Sequence, residues 1–84
     1  MADESKEWQD RVKGLLKAEL AKRNINYQKL SALLDEKYGI TESPQNLSNK
    51  VARGKFSAVF MVQVCEAIGC AKMDFQNDIE TSGR

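Results

Sequence analysis

The stretch Ser43-Pro44-Gln45-Asn46-Leu47-Ser48-Asn49-Lys50-Val51-Ala52-Arg53-Gly54 reads as one short helix with both ends marked. Ser43 has the side-chain oxygen that caps a helix N-terminus. Pro44 follows at the first helical position, where its missing N–H costs nothing. Gly54 can adopt the left-handed conformation that stops a helix. Between these marks only Leu47, Val51 and Ala52 are apolar, so the helix buries a thin seam and offers water everything else.

Three further helical patterns surround it. Downstream, Ser57 caps a helix over 58–68, and Phe56 and Met61 sit at the positions of a hydrophobic staple. That helix is apolar nearly all round (Val59, Phe60, Met61, Val62, Val64, Cys65 and Ile68), which predicts the centre of the core, and Gly69 ends it. Upstream, Asn26 caps a helix over 27–38, with Ile25 and Leu30 as its staple and Gly39 as its stop. Leu30, Leu33, Leu34 and Tyr38 are expected to face inward. The first helix covers 8–23. Trp8, Val12, Leu15, Leu16 and Leu20 form its stripe, Ser5 its cap, and Glu7 lies in its first turn. No run alternates as a strand would. The expected fold is therefore all-α, a bundle of four to five short helices. Its core is assigned to Leu16, Leu20, Leu30, Leu34, Leu47, Val51, Met61, Val64 and Ile68.

A chain of 84 residues has room for one domain, expected over 8–79. Residues 1–7 are expected to be a flexible acidic segment and 80–84 a disordered tail. The segment after Ala71 is weakly patterned, and Met73, Phe75 and Ile79 would extend the core or form a contact with a second copy. No apolar run approaches the ~20 residues that span a bilayer. The acidic, polar start does not read as a secretory signal, so the expectation is a cytoplasmic protein without a membrane partner.

The net charge of +1 hides an uneven distribution. Residues 1–10 carry −3, residues 11–60 carry ten Lys and Arg against four acids, and residues 61–84 carry −2. A basic middle between acidic ends suits an anionic partner; a set of solvated lysines explains it equally.

Catalysis has little to stand on. The chain has no histidine, the acids read as scattered over solvent faces, and no phosphate loop or nucleophile elbow is present. Cys65 and Cys70 have neither zinc spacing nor histidine partners. Five residues apart on a helix and its cap, they are expected not to face one another and to stay reduced. No enzyme activity, cofactor or metal is expected.

The order of elements resembles the phage-repressor-like helix-turn-helix domains of bacterial and phage regulators. The likeness spans roughly residues 12–70. It lies in Leu15-Leu16-Lys17-Ala18-Glu19-Leu20, in Asn26-Tyr27-Gln28-Lys29-Leu30-Ser31, in Asn46-Leu47-Ser48-Asn49-Lys50-Val51-Ala52-Arg53-Gly54-Lys55, and in the ending Ala67-Ile68-Gly69. The chain is also similar to a family of small bacterial proteins that combine a Trp, Leu-Leu-Lys-Ala-Glu-Leu, Asn-Leu-x-Asn-Lys and Ala-Ile-Gly-Cys. The repressor resemblance implies a lambda-repressor-like bundle and duplex DNA as the partner of a small transcriptional regulator. Gln45, Asn46, Ser48 and Asn49 would then meet base edges. Tyr27, Gln28, Lys29, Lys50, Arg53 and Lys55 would meet phosphates. It also implies dimers, through the C-terminal apolar residues. The sequence departs from that family in four places. Tyr27 replaces a Gln, Ser31 a small Ala and Ala52 a frequent Glu, and the link from Tyr38 to Ser43 is longer than the tight turn of the motif. The long link and the near-neutral net charge favour a second reading, a helical protein-interaction module on the same fold.

Overall fold

The structure, a computed structural model, describes residues 6–73. Four helices occupy them: α1 Lys6–Lys22, α2 Tyr27–Tyr38, α3 Pro44–Arg53 and α4 Ala58–Ala67. There is no strand among the described residues, and the chain is a small all-α bundle. The expectations for Ser5, Phe75, Ile79 and the two chain ends lie outside the described residues.

The caps explain why the boundaries fall where they do. Asn26, Ser43 and Ser57 each hold extended backbone and accept the N–H three residues on, from Lys29 at 2.8 Å, Asn46 at 3.1 Å and Phe60 at 3.0 Å. Each satisfies one of the otherwise orphaned amides of a first turn. α2 and α3 match their expected spans. α1 starts two residues early and stops one early, and α4 stops one early.

Leu16, Leu30, Leu34, Leu47, Val51 and Val64 are fully enclosed, with Leu20, Phe60, Ala67, Ile68 and Cys70 close behind. α2 packs on both α3 and α4, and α3 also receives α1. α2 and α3 thus each pack on two helices, and α4 packs extensively on one. This corrects the expectation that α4, apolar nearly all round, is the centre of the core. Val59 and Val62 are 65% and 60% exposed, because α2 is the one helix α4 packs against extensively. Its inward stripe is Phe60, Val64 and Ala67, at helical spacing. Phe60 takes the core position expected of Met61, which is turned about 100° away and half-buried.

Two other inward assignments change. Trp8 is half-exposed, and the Arg11 guanidinium lies 5.7 Å from its ring centroid. Tyr38 stands outside the core and donates its hydroxyl to Glu66 Oε1 at 3.0 Å, tying α2 to α4 from the surface.

The acids are not all on solvent faces. Glu19 is buried at 4% exposure in α1. It accepts from Arg23 Nη1 at 2.6 Å, from Lys22 Nζ at 3.1 Å and from the Cys70 thiol at 3.7 Å. A buried carboxylate survives only with such partners.

Candidate nucleic-acid interface

α3 is polarised around its circumference. Leu47 and Val51 are fully buried; Gln45, Asn46, Asn49, Ala52 and Arg53 are exposed. At 100° per residue those five occupy one arc opposite the two buried side chains. Ser48 and Lys50 flank the seam and are half-buried. So three of the four residues assigned to base edges, Gln45, Asn46 and Asn49, share the outward arc, and Ser48 stands at its edge. Gln45 Nε2 donates to Asn49 Oδ1 at 3.3 Å, aligning two amide side chains one turn apart.

The residues assigned to phosphates divide into two groups. Lys50, Arg53 and Lys55 line one cavity of about 430 Å³ together with Phe56, Ser57 and Phe60, between the end of α3 and the start of α4. Gln28 and Lys29 are exposed on the first turn of α2 and do not line that cavity. Tyr27 is half-buried and packs against the core, and burial pushes its hydroxyl above the ordinary tyrosine range. It is therefore a neutral hydroxyl on a fixed ring.

Lys50 is already engaged. Its ammonium lies 2.6 Å from Glu42 Oε2 and 4.9 Å from the centroid of Phe60. Glu42 was not among the expected site residues. The available signal was its place one residue before the cap of a basic helix, on the extended link. That link, residues 39–43, is braced. The Gly39 N–H reaches Asp35 O at 2.9 Å and the Ile40 N–H reaches Leu34 O at 3.2 Å. Ile40 packs against the core, and the Ser31 hydroxyl donates to Glu42 O at 2.6 Å. Ser31 thus anchors the link between α2 and α3.

Gly54 does two things. Its φ of 66° ends α3, and a Cβ there would meet the backbone carbonyl of Gln9. The exit of α3 is thereby held against α1, which fixes where Arg53 and Lys55 emerge.

Cys65 and Cys70 are free thiols that line a second cavity, of about 370 Å³, with Met61, Val62, Glu66 and Met73. The Cys70 thiol donates to Glu19 Oε1 at 3.7 Å and to Lys72 O at 3.4 Å. Burial, then the adjoining Cys70, pushes the Cys65 thiol up to about 11, so it is protonated and a poor nucleophile near neutrality. The cause is local geometry. α4 closes with a Cys70 N–H bond to Cys65 O at 2.8 Å, which brings the second cysteine back over the first.

Among the described residues no group of three or more His, Cys, Asp or Glu side chains could hold a metal, and no helix is long and apolar enough to cross a membrane. The family model described as Domain of unknown function (DUF6471) matches residues 8–73, and the chain belongs to that family. No curated protein and no solved structure matches it.

Proposed function

We propose that this member of the DUF6471 family binds duplex DNA, with α3 as the element that enters the major groove, and acts as a small transcriptional regulator. The observation that supports this reading is the outward arc of α3. It carries Gln45, Asn46, Asn49 and Arg53 on a helix seated by Leu47 and Val51. Asn and Gln can pair with adenine edges and Arg with guanine or phosphate, and a seated helix presents them without reorganisation. Gln28 and Lys29, on the capped start of α2, would meet the backbone, where a helix N-terminus favours an anion. Fluorescence anisotropy on duplex DNA at ~50 mM salt tests it, since phosphate contacts count most there. Asn46→Ala with Asn49→Ala should cost about 1–3 kcal/mol on a preferred site and little on random duplex. Lys50→Glu with Arg53→Glu should weaken binding to every sequence. If the wild type binds no better than that charge-reversed variant, the duplex reading fails.

A helical protein-interaction module is the second reading. The exposed pair Val59 and Val62 on α4 supports it, since two β-branched apolar side chains three apart make a patch that a partner helix can cover.

A further inference from the structure

The cavity between α3 and α4 has a composition that groove binding does not require. Three cations line it, no acid does, and two phenylalanine rings form part of its wall. Glu42 offsets Lys50 from the side, leaving the other two charges uncompensated. The side chains of Arg53 and Lys55 have no ion pair or hydrogen bond among the described residues. Cations held in a concavity beside apolar walls raise the local concentration of anions more than the same charges spread on a convex face.

The backbone adds to the field. Ser57 accepts the Phe60 N–H at 3.0 Å through its side-chain oxygen, so its hydroxyl hydrogen remains available to donate. α4 begins one residue later, and its first turn carries the positive end of the helix dipole. Arg53, Lys55 and Ser57 together match a phosphate group.

The rings specify what the phosphate is attached to. Phe56 is half-buried, 5.3 Å from the Phe60 centroid and tilted 54° from it. Lys50 sits 4.9 Å from the centroid of Phe60, which is buried, whereas Phe56 packs against the core and keeps part of its surface at the cavity. An aromatic face beside paired cations suits a planar ring carrying an anion, because every nucleobase can stack on an aromatic side chain. The volume, about 430 Å³, lies among those of small-molecule sites.

We infer that this cavity binds a single nucleotide, with Arg53, Lys55 and Ser57 on the phosphate and Phe56 beneath the base. This goes beyond the duplex reading, although the two share Arg53 and Lys55. A free mononucleotide and the 5′-phosphorylated end of a strand present the same chemistry.

Titration of the full chain, followed by calorimetry and by amide shifts, tests the inference. Adenosine 5′-monophosphate should bind with one-to-one stoichiometry, shift the amides of residues 53–60, and bind about tenfold tighter than either inorganic phosphate or adenosine. Arg53→Gln with Lys55→Gln, both on the surface, should weaken it about tenfold. Phe56→Leu should abolish the preference for the nucleotide over phosphate while leaving phosphate binding intact. If Phe56→Leu does not fold by circular dichroism, the charge variant decides alone. A 5′-phosphorylated tetranucleotide, compared with its 5′-hydroxyl form, identifies the source: a preference for the phosphorylated strand assigns the strand end, and binding of the mononucleotide alone assigns the free nucleotide. The inference is overturned if neither binds, if phosphate binds as tightly as the nucleotide, or if the charge variant binds as well as the wild type. Asn46→Ala with Asn49→Ala separates the two readings. It should weaken binding to a preferred duplex site and leave nucleotide binding unchanged; unchanged duplex binding counts against the groove alone, and loss of nucleotide binding counts against the cavity.

Discussion

Glu42 shows how one side chain can set the strength of a surface without touching a partner. Its carboxylate holds the Lys50 ammonium at 2.6 Å, while its backbone carbonyl, not its side chain, receives the Ser31 hydroxyl. Glu42→Gln therefore keeps the brace on the 39–43 link and releases one positive charge. The pair is partly exposed, at 40% for Lys50 and 20% for Glu42, so its loss should cost only about 0.2–1 kcal/mol of stability. Duplex affinity should rise severalfold, and the slope of log affinity against log salt should steepen by up to about one unit. Anisotropy at several salt concentrations measures both; an unchanged slope removes Lys50 from the interface. Sequence reading could place Lys50 on a polar helix but could not see this pairing, because it crosses eight positions between a link and a helix.

At the scale of the element, what could be read in advance was what local chemistry decides. Three caps, the stops at Gly39 and Gly54 and the spans of α2 and α3 follow from interactions within four residues of each other. The outward arc of α3 was equally legible, because its apolar seam is thin and its period fixes the opposite face. α4 was not legible in the same way. With apolar residues nearly all round, periodicity offers no phase, and which face turns inward depends chiefly on α2, the helix it packs against most extensively. The test compares neighbours. Phe60→Ala should cost about 3–5 kcal/mol, since an enclosed ring leaves a cavity. Met61→Ala should cost clearly less, because Met61 is half-exposed and outside the buried cluster. Chemical denaturation of both variants checks the order, and a larger loss at Met61 would reverse the assigned face.

Across the whole molecule, charge and core meet at Glu19. The overall balance of +1 gives no hint of a carboxylate inside the bundle, and the two salt-bridge partners in sequence, Lys22 and Arg23, read equally well as solvated. The fold closes Cys70 over α1 from 51 residues away and so removes Glu19 from water. Its carboxyl is held below the ordinary value of 4.5, first by the Arg23 hydrogen bond, against the opposing effect of burial, and then by Lys22. A carboxyl with a lowered folded value contributes stability that is fully present above its unfolded value and lost as pH falls through the folded one. Thermal stability should therefore hold from neutrality down to about 4.5 as far as this group is concerned, then fall below it. Glu19→Gln should remove this group's part of the acid-side loss while costing about 1–3 kcal/mol at neutral pH, because the Arg23 guanidinium loses a charged acceptor in a partly buried setting. Melting curves of both proteins between pH 7 and pH 3 measure the two effects together. The curves should converge toward the acid end; parallel curves would mean that the Glu19 network contributes nothing to the pH dependence of folding.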